Sequence, residues 1–322
     1  MNGKISKKKR NVGIVIVAVF VICFGLLYYF TLMAYYKDLD SRTAIIELPE
    51  PENTTGYVAN ECKVLGVDLI KGEMYVRMTF NPNGNLVDKE GALTTDLVLF
   101  VNSATGGENR LYEKGKNMNA TDITLDLYGG TVTNYPWDRH YAQLITYLEK
   151  PVKDAESEPV PMQTSFIGQV AGVKIRTTLD KQETSFKNGK FVVKMEITRS
   201  TIILIVVTFA IVLLWLITLT VIAMLLAVLF GRKVELAMFA FMAGFLFSFV
   251  AFRNAMPGAP PIGALSDYVA FFWGYAFISI ALIILTVTWL IRDRQKKDKP
   301  LDTPPEYPPS ASTGHRKHEA GR

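Results

Sequence analysis

The chain of 322 residues holds only two cysteines, Cys23 and Cys62, and three histidines, His140, His315 and His318. Cys23 lies in an apolar run and Cys62 in a polar segment, so no intrachain disulfide staples the fold. Cys62 is expected to be a small buried hydrophobe. With His140 the one histidine between residues 35 and 200, no His/Cys metal cluster can be assembled there. A Ser-His-Asp triad would have to use His140, and the chain contains no Gly-x-Ser-x-Gly elbow, phosphate-binding loop or dinucleotide fingerprint. The expectation is a protein that is not an enzyme and needs no cofactor. A hydrolase built from carboxylates alone is the catalytic alternative.

Charge is missing from four long stretches. Residues 12–34, 201–230, 236–252 and 268–291 contain no Asp, Lys or Arg. At about 1.5 Å per helical residue, such runs reach or approach the roughly 30 Å of a bilayer's hydrocarbon core. They read as four transmembrane helices. Proton-driven pumps and charged-solute carriers place ionisable groups inside the membrane, so the absence of charge speaks against both. The third run is rich in Phe and offers Ser248 as its hydroxyl, with Ala243 and Gly244 expected to let a partner helix approach.

The charges that are present partition by side. Residues 1–11, 231–235 and 292–322 carry 5, 2 and 8 Lys and Arg against 0, 1 and 5 Asp and Glu, which leaves the remainder net acidic under an overall charge of +5. Positive flanks stay inside, so both termini are predicted to be cytoplasmic in a plasma-membrane protein, with 35–200 and 253–267 outside. The basic balance is thus a topology signal, and nucleic acid is not an expected partner. The first run is followed by Tyr35, Tyr36 and Lys37 rather than a small-residue cleavage site, which favours an uncleaved signal anchor over a signal peptide. The tail 292–322 reads as disordered, and its Pro304-Pro305-Glu306-Tyr307 fits a WW-domain ligand.

Residues 35–200 suffice for one domain with its own core. Period-2 alternation at 63–69, 74–80, 97–101, 123–127, 141–147, 166–175 and 190–197, punctuated by Gly, Asn and Pro, predicts an antiparallel β-sandwich. The fold class is therefore an α+β membrane protein, an extracytoplasmic antiparallel β-sandwich with one transmembrane helix before it and three after. Residues 48–53 read as a stiff spacer, and Asn53 and Asn119 open glycosylation sequons. The last strand enters the second run with no Gly/Ser tether, so sandwich and helix should move together.

Two motifs stand out. Tyr135-Pro136-Trp137-Asp138 forms a rigid turn that either caps a sandwich corner or serves as a foot on the membrane part. Arg253-Asn254-Ala255-Met256-Pro257-Gly258-Ala259-Pro260-Pro261-Ile262-Gly263 is a stiff loop, either a plain connector or a fitted surface, with Ser266 or Asp267 able to cap the next helix and Asp267 able to approach Arg253. The turn is predicted to dock onto the loop. Trp137 would pack on Pro257, Pro260 or Pro261, and Asp138 would meet Arg253.

These two motifs, with Leu214-Trp215, Gly231-Arg232, Asp267 and Phe271-Phe272-Trp273, resemble the domain-of-unknown-function 4436 family of membrane proteins, found in actinobacteria, mycobacteria among them, and in fungi. The resemblance spans roughly residues 57–292, with the proline loop its most specific part. It implies one span, an extracytoplasmic β domain and three further spans, and no established activity. The layout is also similar, more weakly, to pentameric ligand-gated channels, which place an aromatic-Pro-aromatic-Asp turn against a loop between membrane helices. The chain departs from them in its extra first span, in lacking a fourth span after the sandwich, and in its Phe-lined helix where a pore helix would be. The reading is a non-enzymatic envelope scaffold, binding or signal-transmitting protein, with an oligomeric transport or channel subunit as the alternative. The partners it implies are the lipid bilayer and either further copies of the chain or other envelope membrane proteins.

Overall fold

A computed structural model describes residues 7–41, 44–47, 55–104, 106–153, 156–185 and 189–297. The proposed spacer 48–53, the Asn53 sequon and the tail from residue 298 lie outside the described residues.

Eleven strands are described: β1 (Ala44–Glu47), β2 (Gly56–Asp68), β3 (Glu73–Gly84), β4 (Leu97–Ser103), β5 (Gly106–Tyr112), β6 (Thr121–Asp126), β7 (Arg139–Lys150), β8 (Glu158–Val160), β9 (Met162–Gly168), β10 (Val173–Leu179) and β11 (Phe191–Arg199). They form two sheets, one in the order β1-β9-β2-β3-β6 and one in the order β10-β11-β7-β4-β5, with β8 also on β7. Each central strand alternates its side chains between faces. In β7 this sends Ala142, Leu144 and Leu148 inward, and in β2 it sends Val58, Cys62 and Val64 inward. The inward faces of both sheets merge into one apolar core. Cys62 is buried within it, and burial pushes its thiol up to about 12.

Three features correct the sequence reading. The sheets are not wholly antiparallel, since 58–63 of β2 pair in parallel with 162–167 of β9. Alternation identifies a strand and its faces, but it says nothing about the direction of the neighbour. The single segment expected at 166–175 is two strands, β9 and β10, separated by a turn at Gly172, whose φ is +81°. Strands β1, β5 and β8 escape an alternation search: β1 and β8 are very short, and β5 is exposed at six consecutive positions, so no buried face marks it.

Four described helices are long and apolar enough to cross a membrane: α1 (Lys7–Ser41), α2 (Thr201–Leu229), α3 (Leu236–Asn254) and α4 (Phe272–Lys297), the last entered through a π turn, Asp267–Phe271. Helix α4 continues through Lys297, so the predicted disorder does not begin at Arg292. Arg292 itself donates Nη1 to the Arg232 carbonyl (2.8 Å) and Nη2 to the Val228 carbonyl (2.9 Å), a cation on the carbonyl end of α2 where the helix dipole favours one.

Helix α2 buries Ile203, Val207, Ala210, Leu214, Thr218, Val221 and Val228 on one face against α3 and α4. Membrane helices gain little from leaving lipid for one another, so close packing over small residues decides their contact. The small residue that matters is Gly274 of α4. A Cβ there would lie 2.4 Å from Phe249 Cε1 and 2.8 Å from Thr218 Oγ1, so three helices meet over its bare backbone. Gly244, expected to play this part, faces open space. We therefore expect Gly274→Ala to cost about 1–3 kcal/mol of helix-bundle stability and Gly244→Ala almost nothing. Thermal unfolding of the two variants in detergent measures the difference.

Candidate functional site: the joint between sheets and helices

Strand β11 passes into α2 through one residue, Ser200, whose hydroxyl accepts the Ile203 amide (3.4 Å) and caps the helix. The residue before it, Arg199, ends the strand with its guanidinium almost fully buried at the lower edge of the β domain. A buried charge needs a partner and satisfied hydrogen bonds. Arg199 finds both in Asp138: Nε lies 3.0 and 3.2 Å from the two carboxylate oxygens, and Nη2 lies 3.1 Å from Oδ2. Its Nη1 donates to the Gly258 carbonyl (2.9 Å), which ties the strand end to the loop between α3 and α4.

The 135–138 turn sits directly beside this pair. Tyr135 is fully buried and packs with the helix-bundle core rather than the β core. Its hydroxyl donates to the Pro257 carbonyl (2.8 Å), its own carbonyl accepts the Ser266 amide (3.3 Å), and Arg199 lies over its ring at 5.0 Å from the centroid. Such a cation over an aromatic face is attractive, the more so when water is excluded. Burial pushes the Tyr135 phenol up to about 12, with the Arg199 cation opposing. His140, two residues beyond Asp138 and also buried, places Nε2 3.2 Å from Asp138 Oδ2. Gly130 leaves room at this point, since a Cβ there would run into the Arg139 carbonyl and lie 2.8 Å from His140 Nδ1.

The loop is held by a second buried pair. Arg253, at the end of α3, forks onto Asp267 with Nε–Oδ1 at 2.9 Å and Nη2–Oδ2 at 2.8 Å, and Nη2 also reaches the Pro260 carbonyl (2.9 Å). Asp267 Oδ2 accepts the Gly263 and Ala264 amides at 2.9 and 3.2 Å. Both loop ends are thereby fastened to one carboxylate. Asp267 does not cap the helix forward as expected, because its oxygens are spent on the loop behind it, and the Ser266 side chain makes no cap bond either. The helix start is a π turn, and the Trp215 indole of α2 donates to its Val269 carbonyl (3.2 Å).

The turn and the loop therefore meet, by other side chains than predicted. Tyr135, Pro136, Asp138, Arg253, Pro260 and Asp267 are buried at the joint, and Pro257 and Gly258 contribute carbonyls. Trp137 remains 48% exposed, and Asn254 and Pro261 are exposed as well. Trp137 is not the anchor, because the turn directs Tyr135 inward and Trp137 outward. Asp138 does not meet Arg253, because each already has a closer buried partner. Sequence reasoning did not place Arg199 or His140 among the contact residues. The signal for Arg199 was a lone cation abutting an apolar run of thirty residues, a costly place for an unpaired charge.

Removing one member of a buried pair strands the other, so Asp138→Asn should cost about 3–5 kcal/mol. Trp137→Ala should cost about 0.5 kcal/mol, as for an ordinary surface change. Gly258, with φ +63° and Arg199 Nη1 2.7 Å from a would-be Cβ, should lose about 1–3 kcal/mol on substitution by Ala. Denaturant titration in detergent ranks the three. The Tyr135 phenol titrates higher in the folded protein than the roughly 10 of a free tyrosine, so its contribution is complete below pH 10 and is lost as pH rises towards about 12. Wild-type stability should fall across that window more steeply than that of Tyr135→Phe, as followed by alkaline unfolding.

Residues 48–196 match the family described as Domain of unknown function (DUF4436), and residues 199–292 match Domain of unknown function (DUF8686). No curated protein matches the chain. The proline loop, read from sequence as the most specific part of the 4436 resemblance, lies in the second matched segment. Asp138 lies in the first and Arg199 opens the second, so their ion pair bridges the two. The first match covers strands β2 to β11 up to residue 196 and the second the last three helices, and both families are of unknown function.

Proposed function

We propose that the chain is a non-enzymatic, envelope-facing protein of the plasma membrane. In this reading an extracytoplasmic β-sandwich binds a partner or ligand, and the joint passes its tilt to the helices. The observation that carries this is the burial of Tyr135, a β-domain residue, inside the helix core, together with the continuity of β11 and α2. A domain that only needed tethering would be served by a flexible linker. Here the strand, a bidentate ion pair, two carbonyl contacts and a buried aromatic all oppose independent motion. The charge partition supports both termini on the cytoplasmic side.

A transport or channel subunit is the second reading, favoured by one observation: a Tyr-Pro-Trp-Asp turn seated on a loop between membrane helices, the layout of ligand-gated channels. The interior between α2, α3 and α4 is filled by Val207, Leu214, Val221, Met242, Phe249 and Ile278, so a conduction path would have to form between copies.

Hydrogen exchange of the full chain in detergent tests the coupling. Amides of β11 and of the first two turns of α2 should open as one cooperative unit in the wild type and as two in Tyr135→Ala. Separate opening in the wild type would contradict a rigid joint.

A further inference from the structure

We infer that the helix-facing rim of the β domain is a lipid-contact surface, seated in the headgroup and upper acyl region of the leaflet it faces. The rim presents large apolar side chains from three separate elements: Ile70 at the β2–β3 hairpin tip, Trp137 in the 135–138 turn and Ile262 in the α3–α4 loop, exposed by 53%, 48% and 65%. They are set there rigidly. Asp68 Oδ1 accepts the amides of Ile70 and Lys71, both at 3.0 Å, which fixes the hairpin tip with Ile70 outward. The Trp137 amide donates to the Asn134 carbonyl (2.9 Å) while both neighbours of Trp137 are buried.

All three lie at the level where the apolar spans begin. Ile70 lines a cleft of about 390 Å³ whose other walls include Val173, Arg199, Ile203 and Gly258, so the hairpin tip stands beside the first turn of α2. Trp137 adjoins Tyr135, which is held by the Pro257 carbonyl and the Ser266 amide. Ile262 lies between Pro260 and Gly263, both fastened to the Arg253–Asp267 pair. If α2, α3 and α4 cross a bilayer, the rim stands at the level of the leaflet from which α2 sets out, and lipid is the neighbour that its exposed apolar side chains suit. Trp is favoured at that depth because its ring is apolar and its N–H can reach water or headgroups. Lys71, mostly exposed beside Ile70 and 3.9 Å from Asp68 Oδ2, can also meet phosphate oxygens. The inference uses the membrane placement proposed above but neither the side of the membrane nor the transmission of tilt. Its failure would leave the cooperative-opening test untouched, and the reverse also holds.

Depth measurement by spin labelling tests it. Full-length Cys23→Ser protein, with Cys62 left buried, is reconstituted in vesicles of equal phosphatidylcholine and phosphatidylglycerol. A nitroxide is attached through Ile70→Cys, Trp137→Cys, Ile262→Cys or Leu111→Cys. Leu111 is an equally apolar, 55% exposed control, paired to Val98 and through it to Glu149. It therefore sits about 33 Å along β7 from the Arg139 end, at roughly 3.3 Å per residue. Labels at 70, 137 and 262 should show a several-fold higher ratio of oxygen to water-soluble nickel accessibility than the label at 111. Nickel accessibility equal to that at 111 would overturn the inference. Shielding from both reagents would overturn it too, since it would place protein over the rim instead of lipid.

Discussion

The arrangement depends on a single cation. Arg199 is the last residue of a strand and stands one residue from the start of a membrane-type helix, where an unpaired charge could neither stay dry nor reach water cheaply. Asp138 answers it with both oxygens, Gly258 with a carbonyl and Tyr135 with a ring face. Because β11 and α2 are continuous, fixing this guanidinium fixes the direction in which the helix leaves the domain. An apolar pair of the same shape could match the ion pair in stability, since desolvation offsets much of its Coulomb attraction. Its distinctive contribution is orientation: a forked, two-oxygen contact tolerates little rotation.

Around that pair the molecule keeps two separate apolar cores, one between the sheets and one among α2, α3 and α4. Tyr135 crosses between them, carried by the β domain yet packed with the helices. The Arg253–Asp267 pair closes the opposite side by holding the loop that receives the tyrosine. Each carboxylate also serves a further group, His140 for Asp138 and the Gly263 and Ala264 amides for Asp267. Loss of either would release several contacts together. The joint has few parts, each used more than once, which is what supports the coupling role proposed for it.

Much of this was legible in the residues, and the failures have physical causes. Uncharged runs located the helices because hydrocarbon tolerates almost nothing else. Alternation located the half-buried strands, while β5, exposed at six consecutive positions, and the three-residue β8 gave no periodic signal. The turn and loop stood out by composition, and they do meet. Which side chain makes the contact was not readable, because a β turn can send either Tyr135 or Trp137 inward and composition favours the larger ring. Of the pairings, the approach of Asp267 to Arg253 was readable and is found, whereas that of Arg199 with Asp138 was not, because the two lie 61 residues apart and only distance in space brings them together.

The most direct test of this account is a double-mutant cycle on Arg199 and Asp138, with each replaced by Leu singly and together and unfolding followed in detergent. If the pair is the joint's shared constraint, the single variants should each be strongly destabilised and the double variant should lose clearly less than the sum of the two, by a coupling of about 1–3 kcal/mol. Additive losses, with a coupling near zero, would mean that Arg199 and Asp138 act independently and that the joint is held by something else.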